Sequence, residues 1–222
     1  MTDALVFDLD GTLWDAAAAS TRGWNRALEQ MGVSSRVTVD DIRSVSGRPF
    51  ARCVEALLPE LGPATEDMLR ALEEHERIEI EAVGGRLYQG VADGLLQLAV
   101  MYRLFLVSNC PGWYLDAFFR ASGLRECFAG WDCHGSSGLS KAAMLADLKD
   151  TYDLGCATYV GDTGGDQEAA VQAGMEFAFV RYGFGEAGPV SLAFDSFGEL
   201  ATHYLRPGAG RSTAGLGRDE QI

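Results

Sequence analysis

Residues 5–13 have the sequence Leu5-Val6-Phe7-Asp8-Leu9-Asp10-Gly11-Thr12-Leu13. The short apolar run that opens this stretch is typical of a buried strand in a parallel sheet. Asp8 and Asp10 follow where the strand ends and a tight turn begins. Two carboxylates at this spacing repel each other unless a positive charge lies between them, and Mg²⁺, which prefers oxygen ligands, meets that need. A plain polar turn is the alternative, but it would not require Asp, Asp, Gly and Thr together.

Apolar runs alternate with helical patterns along the rest of the chain. Strands are predicted at residues 4–7, 104–107, 157–160 and 177–180, with weaker signals at 129–133 and 191–194. This alternation predicts an α/β fold with a doubly wound, Rossmann-like parallel sheet. Ligands of such sheets bind beyond the carboxyl ends of the strands. Because Asp8, Ser108 and Asp162 each follow a predicted strand, we expect them to meet at one edge of the sheet.

Residues 15–85 interrupt the alternation and read as purely helical. Thr38 and Thr65 have the sequence context of helix N-caps, and Gly84 marks the return to the sheet. The run of charged residues at 73–77 is expected to be a solvated helix face. The sequence thus predicts a core formed by residues 1–14 and 86–206 and a helical cap formed by 15–85, joined by two linkers that let the cap move as a lid. Residues 207–222, rich in Gly, Ser, Thr and Arg, are expected to be disordered.

The composition limits the partners of the chain. A net charge of −14 excludes binding of nucleic acid or anionic membrane by general electrostatics. An anionic substrate would therefore need a local cationic site, and the only lysines are Lys141 and Lys149. The five cysteines form no C-x-x-C pair and read as reduced, mostly buried thiols, which favours a cytoplasmic protein. No apolar stretch reaches the 18 residues that a membrane span would need.

Ser108, Asn109 and Lys141 are candidates for holding a phosphoryl group. The hydroxyl of Ser108 and nearby backbone N–H groups could bind a phosphoryl oxygen, although a helix cap explains the same residues. Lys141 lies at a predicted helix start, where a cation is unfavourable by roughly 0.3–1 kcal/mol against the helix dipole. Its position makes sense if an anion binds there too, because helix N-termini bind phosphate. A solvated surface lysine is the alternative.

Two further carboxylates, Asp162 and Asp166, are expected at the same edge of the sheet. Asp162 follows a predicted strand, and Asp166 precedes a helix predicted at 167–173, which it could merely cap. Four acids, one lysine and one serine at a sheet edge describe a Mg²⁺ site for phosphoryl transfer.

Together these motifs resemble the haloacid dehalogenase-like hydrolase superfamily. The stretch from Asp8 to Thr12 matches the first motif of that superfamily, Ser108 the second, Lys141 the third, and Asp162 with Asp166 the fourth. The helical insertion resembles the cap of the phosphoglycolate phosphatase-like and β-phosphoglucomutase-like branch. Gly164-Gly165 departs from the residues that many relatives carry before the fourth-motif acid, which leaves the role of Asp166 open.

The resemblance implies a Mg²⁺-dependent phosphatase that acts on a small phosphorylated metabolite. Asp8 would attack phosphorus and form an aspartyl-phosphate, and Asp10 would serve as general acid and then general base. The family's Mg²⁺ would be held by Asp8, the backbone carbonyl of Asp10 and Asp162, with Asp166 nearby. Ser108 and Lys141 would hold the phosphoryl group, with Asn109 and Thr12 as further candidates at that group.

The same resemblance leaves alternatives open. Asp10 argues against dehalogenation, because a halide leaving group needs no proton. A sugar-phosphate mutase shares Asp10 and the cap, a receiver-like domain uses similar phospho-aspartate chemistry, and a binding protein could keep the fold without turnover. Arg48 lies in a stretch that resembles the specificity loop of the family, where it could hold the leaving group, although a surface arginine explains it equally well.

Overall fold

The computed structural model describes residues 2–206; the predicted disordered tail, 207–222, lies outside them. The strands are β1 (Ala4–Phe7), β2 (Trp14–Asp15), β3 (Arg86–Leu87), β4 (Arg103–Ser108), β5 (Phe128–Cys133), β6 (Ala157–Gly161), β7 (Glu176–Val180) and β8 (Ala193–Phe194). The helices are α1 (Ala17–Gln30), α2 (Val39–Val45), α3 (Phe50–Leu57), α4 (Glu66–Val83), α5 (Val91–Leu98), α6 (Gly112–Ser122), α7 (His134–Ser137), α8 (Lys141–Thr151), α9 (Gly164–Gln172) and α10 (Phe197–Leu205). Short 3₁₀ turns lie at Pro59–Leu61 and Arg125–Cys127.

Six parallel strands form the sheet, in the order β5-β4-β1-β6-β7-β8. The first strand is central: Phe7 is paired with Leu106 on one side and with Val160 on the other. The predicted α/β class with a doubly wound parallel sheet is confirmed, and the weak strand signals at 129–133 and 191–194 correspond to β5 and β8. The ends of β1, β4 and β6 consequently lie side by side.

Both faces of the sheet are covered by helices, which explains why β1 is apolar throughout. Leu5 and Phe7 belong to the larger hydrophobic cluster, which includes residues of α5, α6 and α10. Ala4 and Val6 point to the opposite face and belong to the cluster with residues of α8 and α9. Successive residues of a strand face opposite sides, so every side chain of a strand that is buried on both sides lies in the core and is apolar.

The predicted helical insertion comprises α1 to α4, and these helices share a hydrophobic cluster that includes Trp24, Leu28, Val54 and Leu72. Its division from the sheet at residues 15 and 85 stays a prediction. The sequence did not predict β2 and β3, which form a two-stranded antiparallel ribbon where the chain enters and leaves the insertion. Two residues per strand are too few to give a periodic signal.

The ends of the helices agree with the capping signals, with one correction. Thr38 and Thr65 are the N-caps of α2 and α4, and Ser140 caps α8. The helix predicted at 167–173 begins earlier, at Gly164, because the side chain of Thr163 supplies its cap. All five cysteines are free thiols, three of them buried. Within residues 2–206, no helix combines the length and the apolarity that crossing a bilayer requires.

Candidate active site

The turn after β1 is pressed against the end of β6. The backbone N–H of Asp8 donates to the carbonyl of Val160 over 2.8 Å. Gly11 has φ +80°, and a Cβ built on it would lie 2.1 Å from Oδ2 of Asp162. Only glycine accommodates both that backbone conformation and that approach. The glycine of the first motif therefore allows the first-motif turn to reach the carboxylate of Asp162.

Lys141 joins two of the predicted carboxylates below this turn. Its Nζ donates to Oδ1 of Asp8 over 2.7 Å and to Oδ1 of Asp166 over 2.6 Å, and all three side chains are buried. Burial by itself would lower the pKa of Lys141, but the charges of Asp166 and Asp8 outweigh it and hold that pKa well above its usual value. Lys141 is therefore a permanent cation between two acids, and the sequence alternative of a solvated surface lysine is wrong.

Asp166 has two roles at once. Its Oδ2 accepts from the backbone N–H of Thr163 over 3.0 Å and from the Thr163 hydroxyl over 2.7 Å, which completes a capping box at the start of α9. Its Oδ1 faces Lys141. The helix-capping interpretation of Asp166 is thus confirmed, and its other oxygen is directed to Lys141, while its role in the site stays a prediction.

The carboxylates of Asp8, Asp162 and Asp166 fit a cation. Each offers an oxygen within 4.8 Å of the others, and all three residues are buried. Oδ2 of Asp8 and Oδ1 of Asp162 have no hydrogen-bond donor, whereas the other oxygen of Asp162 accepts from the backbone N–H of Phe184 over 2.7 Å. Burial, followed by the charges of Asp8 and Asp166, raises the pKa of Asp162 to about 8. Because buried acceptors without partners are unfavourable, this set has room for a hard divalent ion.

A small cavity of about 70 Å³ lies beside Asp8, the member of this cluster that lines it. Asp8, Asp10 and Ser108 line it from the sheet, and α1, α3 and α4 contribute its opposite wall, which includes Trp24 and Glu76. The predicted nucleophile and the predicted acid therefore share one enclosed space with residues of the helical insertion.

Comparison with known proteins places this geometry in a family. The sequence model of haloacid dehalogenase-like hydrolases matches residues 5–180. The chain belongs to that family. A phosphoglycolate phosphatase of Rhodobacter capsulatus is 29% identical over 212 residues, which cover 90% of this chain and 95% of the relative. An N-acetylmuramic acid 6-phosphate phosphatase of Pseudomonas putida is 30% identical over 191 residues, covering 82% of this chain and 83% of the relative.

Solved structures agree on the fold of this haloacid dehalogenase-like hydrolase. A family member from Streptococcus pneumoniae superposes with a TM-score of 0.77 at 21% identity, covering 91% of this chain and 98% of that one. CbbY from Rhodobacter sphaeroides, in complex with phosphate, gives a TM-score of 0.75 at 23% identity, covering 90% and 96% of the two chains. The predicted family, fold and enzyme class, a phosphatase, are confirmed.

Asp8 and Asp10 of the hydrolase have different surroundings. Burial raises the pKa of Asp8 to about 6, against the lowering effect of Lys141. Burial raises the pKa of Asp10 to about 7, and the hydrogen bond from Tyr114 acts in the opposite direction. An acid with a pKa near neutrality can both donate and accept a proton, whereas the nucleophile must be ionised. The cation beside Asp8 and the phenol beside Asp10 suit the roles predicted for the two residues, which stay predictions.

The remaining predicted residues of the hydrolase are not equally close to the cavity. Ser108 is buried on its wall, and its Oγ accepts from the N–H of Cys110 over 3.3 Å. Asn109 also lines the cavity, but its Nδ2 donates to the carbonyl of Gly47 over 2.7 Å, so its amide holds the insertion. Thr12 is fully buried and does not line the cavity, which argues against direct contact with phosphate. Arg48 lines the cavity with an exposed side chain.

Sequence reasoning missed several residues of this site. Tyr114 on α6 and Tyr159 on β6 approach the acids, and their sequence patterns are those of core residues. Phe184 contributes a backbone N–H, which no side-chain pattern reveals. The prediction of a solvated charge run at 73–77 is wrong for Glu76, which is buried in the cavity wall. The signal was available only in part: Glu76 lies four residues after buried Leu72, on the apolar side of α4.

Proposed function

We propose that this protein is a Mg²⁺-dependent phosphatase that hydrolyses a small phosphorylated metabolite through an aspartyl-phosphate on Asp8. The observation that carries the proposal is the buried cluster of Asp8, Asp162 and Asp166, with Lys141 bonded to two of these acids. One lysine cannot balance three buried carboxylates, so the cluster needs further positive charge. Dianionic phosphate esters are substrates that such a cation-completed site would attract.

The contacts of the residues support the following proposed roles. Asp8 attacks phosphorus, and Lys141 keeps Asp8 ionised and faces the charge of the transferring group. Asp10 donates a proton to the leaving oxygen and then takes one from the water that hydrolyses the phospho-Asp8 bond. Ser108, buried beside the cavity, offers a hydroxyl to a phosphoryl oxygen. Mg²⁺, held by Asp8 and Asp162 together with the backbone carbonyl of Asp10, would neutralise charge on the phosphoryl oxygens.

The substrate is proposed as small and phosphorylated, without a name. The related proteins are named for phosphoglycolate and for N-acetylmuramic acid 6-phosphate, two compounds that share only a phosphate monoester and a carboxylate. Relatives this similar to the chain thus differ in the rest of their leaving groups. The shared group that reacts is the phosphate monoester.

A phosphate-release screen over phosphorylated metabolites, with and without Mg²⁺, tests the proposal. We expect Mg²⁺-dependent release by the natural chain and none by Asp8→Asn. Asp67→Asn, which removes an exposed carboxylate of α4, is the matched control and should retain full activity. Release that persists in Asp8→Asn would contradict the role of Asp8. Isomerisation of a sugar phosphate after addition of its bisphosphate, without free phosphate, would show a mutase instead.

A further inference from the structure

Glu76 is brought to the cavity by the close crossing of α1 and α4. A Cβ built on Gly23 of α1 would lie 2.5 Å from the Cα of Glu76 and 2.7 Å from the backbone oxygen of His75. Helix backbones approach this closely only where one of them lacks a side chain. The crossing therefore fixes the backbone of Glu76, and with it the position of a carboxylate in the wall that faces Asp8 and Asp10.

A second glutamate on the same helix shows what is unusual about Glu76. Glu79 is equally buried, but it forms ion pairs with Arg22, at 2.8 Å, and with Arg26. Among residues 2–206, no lysine or arginine nitrogen lies within ion-pair distance of Glu76. Burial raises the pKa of Glu76 to about 7, although Ser20 and Trp24 act in the opposite direction by hydrogen bonding. Glu76 thus has a hydroxyl and an indole beside it but, among residues 2–206, no cation, so its carboxylate can accept a further hydrogen bond from a ligand in the cavity.

The charges around the cavity limit what the leaving group can be. Among the residues that the structure describes, its wall carries three acids, namely Asp8, Asp10 and Glu76, and a single cation, Arg48, whose side chain is exposed. Mg²⁺ and Lys141 serve the phosphoryl end of a substrate. Above its pKa, where Glu76 is ionised, a carboxylate on the leaving group would meet a like charge, whereas a hydroxyl would donate a hydrogen bond to Glu76.

We propose that Glu76 is a specificity-determining residue that accepts a hydrogen bond from a hydroxyl of the leaving group, so that the substrate is the phosphate monoester of a small neutral polyol. The proposal rests on the proposed function, because it concerns the leaving group of the same reaction. The proposal also predicts that this chain disfavours a substrate such as phosphoglycolate, whose leaving group is itself an anion. The cavity volume of about 70 Å³ favours a leaving group of a few carbons.

Paired kinetics test the assignment. At pH 8, where Glu76 is ionised, we measure kcat/KM for glycerol 3-phosphate and for 2-phosphoglycolate with the natural chain, Glu76→Gln and Glu79→Gln, and use p-nitrophenyl phosphate as a general substrate. The natural chain should favour glycerol 3-phosphate by about tenfold or more, since a like charge replaces a hydrogen bond in the other ester. Glu76→Gln should reduce that ratio by about tenfold, mainly by improving 2-phosphoglycolate. Glu79→Gln, on the same helix but outside the cavity, should leave the ratio unchanged.

The outcomes separate the specificity proposal from the proposed function. A natural chain that hydrolyses p-nitrophenyl phosphate but prefers 2-phosphoglycolate overturns the specificity proposal alone. So does an unchanged ratio in folded Glu76→Gln. No Mg²⁺-dependent hydrolysis of any of the three esters overturns the proposed function, and the specificity proposal with it. A thermal melt of each variant checks that it folds. Even where a variant does not fold, the ratio of kcat/KM for the two esters in the natural chain decides the substrate class.

Discussion

Two aspartates two residues apart have opposite neighbours. Asp8 lies against the ammonium group of Lys141, and Asp10 accepts a hydrogen bond from the neutral phenol of Tyr114. A cation stabilises the ionised form of its partner far more than a phenol does. Asp8, the proposed nucleophile, is therefore favoured in its charged form, and Asp10, the proposed acid, keeps access to its proton. The division of labour comes from the elements that pack beside the turn, α8 and α6, and not from the turn itself.

Asp10→Asn should lower steady-state phosphate release from an alkyl phosphate by about 10²-fold or more, because the leaving alkoxide then lacks a proton donor. The first step should be much less impaired with p-nitrophenyl phosphate, since p-nitrophenolate leaves without a proton. Rapid mixing of Asp10→Asn with that ester should give a burst approaching one p-nitrophenolate per protein, followed by slow turnover. A burst that is absent while alkyl phosphates still turn over would contradict the role of Asp10.

Glu76 should also make the stability of the protein depend on pH. Its pKa is about 7 in the folded protein and 4.5 without the effect of burial, so the folded state holds a proton that the unfolded chain releases. The contribution of Glu76 to the free energy of unfolding is complete below pH 4.5 and is lost as the pH rises through 7. The Tm of the natural chain should therefore fall relative to that of Glu76→Gln between pH 5 and pH 8. A few degrees are expected, since 1 kcal/mol shifts the Tm of a chain this size by about 2–4 °C.

Melts of both proteins in chelator and in Mg²⁺ measure this difference. Asp162, whose pKa does not depend on Glu76, contributes the same slope to both proteins and cancels in the comparison. Asp10 does not cancel: the charge of Glu76 helps to raise its pKa, so Asp10 adds to the difference in the same direction. A difference in Tm that does not change with pH would contradict the raised pKa of Glu76.

At the scale of elements, the loop after β7 completes the site by backbone contact. Gly183 lies so close to the first-motif turn that an added Cβ would be 2.3 Å from the Cβ of Asp162 and 2.6 Å from the carbonyl oxygen of Gly11. The next residue, Phe184, donates its N–H to Asp162. This loop therefore positions one oxygen of Asp162 and leaves the other free for a cation.

Gly183→Ala should weaken Mg²⁺ binding and lower activity by about tenfold or more, because the methyl group displaces the carboxylate of Asp162 from its position. Gly164→Ala is the control, since its nearest added contact is 3.5 Å and is ordinary van der Waals distance. Mg²⁺ titration of activity, together with a melt of each variant, measures the effect. Equal Mg²⁺ dependence in both variants would show that Asp162 does not need this loop.

The sequence predicted the elements whose pattern is local and missed those decided by distant packing. Strand ends carry Asp8, Ser108 and Asp162, and parallel order places them together, so the acid cluster followed from periodicity. The burial of Glu76 depends on the absence of a side chain at Gly23, more than fifty residues earlier, and no local pattern of α4 records it. The tie between Asn109 and Gly47 likewise joins two loops that are distant in sequence. Charge runs and capping signals predict where a helix lies in the sequence. They do not predict which of its side chains a crossing helix will bury.

Over the whole molecule, the helical insertion is tied to the sheet by polar contacts. The amide of Asn109 reaches Gly47, and the indole N–H of Trp113 donates to Glu73 over 2.6 Å. Arg43 of α2 pairs over 2.5 Å with Asp15 of β2, in the ribbon where the chain enters the insertion. Contacts of this kind are individually weak and exchange readily with water. They suit a closed state that must open for a substrate to enter, as the predicted movement of the cap requires.

Arg43→Ala should favour that opening, since Arg43 contacts the loop after β7 as well as β2. Its guanidinium lies 5.6 Å from the ring of Phe184, whose backbone N–H holds Asp162. An ion pair that is partly exposed contributes about 1 kcal/mol at most, so the equilibrium constant for opening of the insertion should increase by about three- to fivefold. Hydrogen exchange should accelerate by that factor in α2 and at residues 46–49, with β1, β4 and β6 unchanged. Arg52→Ala, which removes an exposed i,i+3 pair within α3, is the matched control. Uniform acceleration across sheet and insertion would mean that the insertion does not open as a unit, because loss of the pair would then have destabilised the whole fold.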